Sequence, residues 1–259
     1  MTSEMLLEVA GLHRRFGGLS AVDGLSFNVR EGEIVSLIGP NGAGKTTAFN
    51  VITGIYPPTD GDIRFASRSL VGLAPHRVCG CGIGRTFQNL RIFPNLTVRD
   101  NVLVGFTLAN RASLLSALVR LPSQRREEKR LNGEVDALLH LLGLAEFEGH
   151  LARNLAYGDQ RRVEIARALA AQPRMMMLDE PAAGMNPAEI EDLNRLIRRM
   201  RDELGKTILL VEHHMNLVMG ISDRVVVMDQ GRKIAEGTPQ EVKRDTSVIR
   251  AYLGSEADA

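Results

Sequence analysis

The chain has 259 residues, long enough for one large α/β domain or two small ones and for a sizeable buried core. Its 44% apolar and 24% charged residues exclude a disordered chain, a collagen or a disulfide scaffold. Lys+Arg 32 against Asp+Glu 31 leaves a formal +1, so no overall field draws it to nucleic acid or to an anionic bilayer, and with no Trp and 4% aromatic residues a base-stacking platform is disfavoured too.

The first ten residues carry Glu4 and Glu8 and no basic n-region, so no secretory signal is expected and the expected location is cytosolic. Short β-rich runs follow at 6–12 and 25–29, then a continuous apolar run at 34–38 that reads as a buried central strand. A helix is predicted over 45–53, a Pro/Gly turn over 56–61 and a strand over 62–65. Cys79 and Cys81 in a reducing compartment read as free thiols, and His76 beside them lacks the further ligands a metal site needs. From about 101 to 171 the pattern turns helical, with Leu131, Val135, Leu138, Leu139 and Leu142 on one face before Gly143. No stretch there reaches the roughly 18 charge-free apolar residues of a membrane span, because Arg111 and Arg120 interrupt it. The mixed basic run 120–130 reads as a solvated helix start. Strands at 175–178, 207–211 and 224–228 then alternate with helices at 187–204 and 215–221.

Two segments carry chemistry. Gly39, Pro40, Asn41, Gly42, Ala43, Gly44, Lys45 and Thr46 fit G-x-x-x-x-G-K-[ST] between a predicted buried strand and a predicted helix, with Thr47 next. Backbone N–H groups of such a loop point at phosphate oxygens, Lys45 reaches the β and γ phosphates, and the Thr46 hydroxyl ligates Mg²⁺. Downstream, an apolar strand ends in Asp179 and Glu180, which in a phosphate-loop protein puts Asp179 at the Mg²⁺ and Glu180 beside the γ-phosphate as general base. Alone, that second pattern would read as a strand ending in solvated acids.

With these landmarks in place, the chain resembles the ATP-binding cassette (ABC) ATPases over almost its whole length. The phosphate loop is followed by Gln88 in Phe87-Gln88-Asn89-Leu90, then Leu155-Ala156-Tyr157-Gly158-Asp159-Gln160, Asp179-Glu180 and His213, in the order of that family. The resemblance implies that Phe16 stacks on adenine and that Gln88 contacts Mg²⁺ and senses membrane subunits. It also implies that His213, rather than His214, meets the γ-phosphate, and that Ala156, Tyr157, Gly158, Asp159 and Gln160 act in trans on ATP held by a partner. Taken singly, Phe16 would read as core, Gln88 as a loop polar residue and His213 as a hydrogen-bonded surface residue; their shared order changes that.

The implied fold is a phosphate-loop α/β core with a mostly parallel sheet, an N-terminal antiparallel β subdomain, an inserted helical subdomain over 87–165 and a C-terminal tail over 241–259, all within one ATPase domain. Segments 156–162, 180–187 and 212–215 and the tail 248–254 are similar to those of bacterial branched-chain amino acid importer ATPases, as is the insertion before Arg130. No chemistry attaches to the tail. Ala156 stands where most family members have Ser, and Asn186 where many have Asp. The resemblance implies a second ATPase subunit (a heterodimer, with a homodimer as the alternative), two membrane permeases, a periplasmic solute-binding protein and no nucleic acid. The protein would then sit peripherally on the inner face of the plasma membrane. An importer for amides or aromatic acids is the alternative substrate reading. A soluble cassette without a transport role is the rival class, and it usually needs a tandem cassette or a coiled-coil insertion.

Overall fold

The computed structural model describes residues 4–109 and 122–256. They divide into two compact units, Met1–Arg85 with Arg174–Ala259, and Thr86–Pro173. The first unit opens with β1 (Met5–Phe16), β2 (Leu19–Arg30), β3 (Ile34–Ile38), α1 (Lys45–Ile52), β4 (Asp60–Phe65), β5 (Arg68–Ser69), α2 (Pro75–Gly80) and β6 (Ile83–Arg85). The second unit holds α3 (Val98–Ala109), α4 (Pro122–Leu141) and α5 (Tyr157–Ala170). The first unit resumes with β7 (Met175–Asp179), α6 (Pro187–Asp202), β8 (Thr207–Val211), α7 (Met215–Ile221), β9 (Arg224–Asp229), β10 (Arg232–Gly237), α8 (Pro239–Arg244) and α9 (Thr246–Glu256).

The first unit contains two sheets. Strands in the order β2-β1-β4-β5 form an antiparallel sheet, and β10-β9-β3-β8-β7-β6 form the second, parallel from β9 to β6 with β10 antiparallel at its edge. All five residues of β3, β7 and β8 are buried, as continuous apolar runs in a sheet covered on both faces should be. One apolar cluster, including Leu7, Phe27, Phe49, Phe65, Met177 and Leu209, joins the inner faces of the two sheets.

Several expectations on element bounds need correction. The first two strands run to Phe16 and start at Leu19, well beyond 6–12 and 25–29, because their ends are held by hairpin pairing from His13↔Asp23 to Phe16↔Leu19 and not by apolar alternation. The strand expected at 62–65 begins at Asp60 for the same reason, paired with His13. The helix expected over 187–204 ends at Asp202. In the second unit residues 88–97, ahead of the helical pattern read from about 101, form an irregular segment tied to α3 by buried Asn101, whose side chain accepts from Phe93 N at 2.9 Å and donates to Phe93 O at 3.0 Å. Val135, Leu139 and Leu142 are buried there as expected, whereas Leu131 and Leu138 are half-buried. The reading of residues 1–3, of the apolar stretch 112–119 and of the side chains in the basic run 120–128 lies outside the described residues.

Candidate functional site

The phosphate loop leaves the C-terminal end of β3, where parallel α/β sheets place their ligands. Only glycine fits its two ends. A Cβ on Gly39 would lie 2.0 Å from the Met228 carbonyl oxygen, and one on Gly44, at φ 95°, would lie 2.2 Å from that of Ala21. Gly44 is the N-cap of α1, so Lys45, Thr46 and Thr47 form a first helical turn whose amides have no partner within the helix. Lys45 is 6% exposed, and its ammonium donates to Gly39 O at 2.7 Å and Pro40 O at 2.9 Å. Burial pushes its pKa down, while the nearby carboxylates of Glu180 and Asp179 pull it up.

Two strands away, β7 delivers both carboxylates to the same end of the sheet. Asp179 pairs with Arg85 at 2.9 Å, and Arg85 also donates to Asn50 on α1 at 2.8 Å. Glu180 sits at φ 46°, a left-handed conformation that costs a side-chain-bearing residue on the order of 1 kcal/mol, and its N–H donates to Val211 O at 2.9 Å. Past β8, buried Glu212 accepts from Ala182 N at 2.9 Å through one oxygen and from His213 N and His214 N at 3.0 and 3.1 Å through the other. It also faces His214 Nδ1 at 3.1 Å.

Glu212, His213 and His214 are the one grouping, among the described residues, whose ligand atoms could share a metal ion, but these bonds give Glu212 a structural role. It ties the segment after Glu180 to the turn that carries His213. His213 itself is exposed, with its ring 4.4 Å from that of His214. Cys79 and Cys81 are free, in agreement with their reading as thiols.

Phe16, the loop from Asn41 to Thr47 (Gly42, Ala43, Gly44, Lys45 and Thr46 between) and Glu180 line one cavity of about 670 Å³. Phe16 is 39% exposed, so it is not a core residue; its ring packs edge-on against Tyr56, 5.3 Å between centroids, under the Arg14 guanidinium. The donor set suits MgATP: a hydroxyl and a carboxylate are the hard oxygen ligands Mg²⁺ takes, and the first-turn amides and Lys45 suit phosphate.

Gln88, Ala156, Tyr157, Gly158, Asp159 and Gln160 belong to the other unit. Gln88, Ala156 and Tyr157 are exposed, and Gln160 bonds Leu155 O at 2.8 Å. Ala156 is the N-cap of α5 and offers no side-chain cap. Sequence reading missed what lies beneath them. Arg161, fully buried, donates to Phe87 O at 2.6 Å and Gln88 O at 3.0 Å and pairs with Glu164 at 2.7 Å, while Glu164 accepts from Arg91 N at 3.2 Å. The start of α5 and the Gln88 segment are thereby held by one buried ion pair. An Arg and a Glu three apart on a face otherwise filled by Val163, Ile165, Ala166 and Leu169 is the signal that could have revealed it. Asn186 acts locally as well, because its side chain caps α6, accepting from Ala188 N and Glu189 N, and Glu189 returns the bond.

A buried strand, a glycine loop and a helix opposite a strand ending in Asp-Glu define a phosphate-loop ATPase core. Residues 22–183 match the family described as ABC transporter, and 232–258 match the one described as branched-chain amino acid ATP-binding cassette transporter. The chain belongs to the ATP-binding cassette transporter family. It is 50% identical over 252 residues to the high-affinity branched-chain amino acid transport ATP-binding protein LivG of Salmonella typhimurium, covering 97% of this chain and 99% of that one. Among solved structures it resembles the ADP conformation of MJ1267, an ATP-binding cassette of an ABC transporter (31% identity, TM-score 0.83, 97% and 100% of the two chains). It also resembles the dimeric post-hydrolysis cassette MJ0796 bound to ADP and Pi (26% identity, TM-score 0.75, 90% and 99%).

Proposed function

We propose that this chain is the ATP-binding and ATP-hydrolysing subunit of an importer for branched-chain amino acids. The observation that carries the reading is that Phe16, the loop from Asn41 to Thr47 and Glu180 line a common cavity. The matches to LivG and to the branched-chain family over 232–258 support the substrate class.

In this reading Phe16 stacks on adenine and the amides of the loop wrap the phosphates. Lys45 exchanges Gly39 O and Pro40 O for the β and γ phosphates, a contact between opposite charges that is stronger than the ammonium-to-carbonyl bonds it gives up. Thr46 and Asp179 would hold Mg²⁺, which would neutralise charge on the phosphates when bound. Glu180 accepts the proton of the attacking water, a contribution of about 10²–10⁴-fold, and His213 meets the γ-phosphate. Ala156, Tyr157, Gly158, Asp159 and Gln160 contact ATP held by a second cassette, and the dimeric MJ0796 structure supports such pairing.

No helix among the described residues is long and apolar enough to cross a membrane. Two permease subunits and a periplasmic binding protein therefore complete the importer, and the chain sits on the inner face of the membrane through them. The test is co-expression with two candidate permease subunits. Expected are ATPase activity abolished by EDTA and uptake of labelled leucine, isoleucine or valine that Glu180→Gln removes. ATP-dependent uptake of amides or aromatic acids alone would overturn the substrate class, and membrane association without permeases would overturn the docking.

A further inference from the structure

Phe16 ends β1 at the closing pair of a hairpin, Phe16↔Leu19 around Gly17 and Gly18, and at 39% exposure it has no core to hold its ring. Two neighbours hold it instead. The Arg14 guanidinium, two residues earlier on the strand, stands 4.4 Å over the Phe16 ring and 5.4 Å over that of Tyr56. The two ring centroids are 5.3 Å apart at an interplanar angle of 83°. These separations form a compact triangle, which puts Tyr56 at the edge of the Phe16 ring on the side of Arg14 and leaves the opposite face of Phe16 open. That open face is the one presented to the cavity of the phosphate loop, since Phe16 lines the cavity and neither Arg14 nor Tyr56 does.

Hydrogen bonds fix this arrangement. Arg14 Nη1 donates to Pro57 O at 3.0 Å, Thr59 N to His13 O at 2.8 Å and Arg15 N to Thr59 Oγ1 at 3.0 Å, so the turn that carries Tyr56 is tied to the end of β1. The same turn is tied to α1, the helix after the phosphate loop, by Ile55 N and Tyr56 N on Asn50 O at 2.8 and 3.2 Å. The buried Nε of Arg14 has no hydrogen-bond partner among the described residues, so this cation is placed against two rings and one carbonyl. A cation over one face of an aromatic ring draws π density toward itself and leaves the far face a better partner for an electron-rich purine. A ring already held also loses less freedom when a base stacks on it.

We propose that Arg14 is a positioning residue of the nucleotide site: its guanidinium backs Phe16, holds the ring beside Tyr56 and turns the free face to the base. It thereby sets affinity for the nucleoside end of ATP and leaves the phosphate end and the chemical step alone. The inference rests on the reading above in which Phe16 stacks on adenine.

The test uses the full chain, with Kd for MgATP and for magnesium tripolyphosphate, which has the phosphates without the base, and with KM and kcat for ATP. Arg14→Met removes the charge and keeps an apolar stem; Arg14→Gln removes the charge and keeps a donor for the Pro57 carbonyl, so the fold at that turn survives in at least one of them. Both should raise Kd and KM for MgATP about three- to tenfold, with kcat and the tripolyphosphate Kd within about twofold of wild type. In a Phe16→Leu background, where the ring is gone, adding Arg14→Met should weaken MgATP by less than about twofold more. Wild-type MgATP affinity in either Arg14 variant overturns the proposal. Equal weakening of tripolyphosphate also overturns it, because general loosening would then suffice, and so does a full additional loss in the double variant. Failure of the site reading itself looks different: Phe16→Leu would bind MgATP as well as wild type, or Lys45→Ala would.

Discussion

Arg85 Nη2 lies 2.9 Å from Asp179 Oδ2, with the two side chains 8% and 2% exposed. The same guanidinium reaches Asn50 and Thr53 at the end of α1, so one cation links the helix after the phosphate loop to the strand that carries the acidic pair. Removing one partner of a buried pair strands the other charge. Arg85→Ala should therefore destabilise the chain by about 3–5 kcal/mol in urea unfolding, and Arg85→Lys by less, because it keeps the charge and loses the fork. An unfolding free energy unchanged within about 0.5 kcal/mol in Arg85→Ala would show that the pair carries no such weight.

Glu180→Gln and Lys45→Ala should fail in different ways. On the proposed reading the first would remove the proton acceptor and the repulsion between a carboxylate and the γ-phosphate, so ATP binding should persist, an ATP-bound dimer should accumulate and turnover should fall at least about 100-fold. The second removes the charged phosphate contact, so affinity itself drops, by about 1.5–3 kcal/mol in titration calorimetry. Wild-type turnover in Glu180→Gln refutes its assignment as base, and unchanged affinity in Lys45→Ala refutes the phosphate-loop reading.

Which parts could be read from the sequence follows from the range of the forces involved. The runs at β3, β7 and β8 are legible because a strand covered on both faces must be apolar at every position. Lys45 and Thr46 are legible because a phosphate loop is a local motif. By contrast, β6 is three residues with a central glycine, a strand only because it pairs with β7, and β10 is a polar edge carrying Arg232, Lys233 and Glu236. Arg85 escaped notice because its acid lies 94 residues away, and Glu212 because the amide it holds is 30 residues away.

Glu212→Ala should expose that hidden role. It leaves the buried Ala182 amide and the two amides at His213 and His214 without their acceptor, at about 1–3 kcal/mol for the buried one. Stability should fall by at least that much, and turnover with it, because the segment after Glu180 and the His213 turn lose their shared anchor. Loss of stability without loss of turnover in the folded fraction would separate Glu212 from the site.

Acid should loosen the C-terminal helices by a predictable sign. The backbone N–H and hydroxyl of Thr238 hold Glu241 below its ordinary 4.5. Ser247 holds Asp245 below its ordinary 3.8. A carboxylate with a lowered folded pKa stabilises above its unfolded value and loses that contribution as pH falls through the folded one. Glu241→Gln retains the capping box without the charge. The gap in unfolding midpoint between wild type and Glu241→Gln should be constant above about pH 5 and shift against wild type below it. A gap independent of pH down to about 3 would show that the charge is not linked to folding.

Ala156 joins two effects that can be separated. As the uncapped N-cap of α5 it leaves first-turn amides without a side-chain acceptor, so Ala156→Ser should stabilise the helix by about 0.5–2 kcal/mol. In the proposed assembly the added hydroxyl would face ATP held by a second cassette, where one neutral hydrogen bond is worth on the order of 1 kcal/mol, or several-fold in rate. ATPase activity should therefore change only modestly while the unfolding midpoint rises. Gly158→Asp, two residues on, should abolish activity, because a carboxylate would stand against the γ-phosphate and block close backbone approach. Normal ATPase and uptake in a Gly158→Asp complex would remove this segment from any shared nucleotide site, while a raised midpoint in Ala156→Ser would still establish its role as a cap.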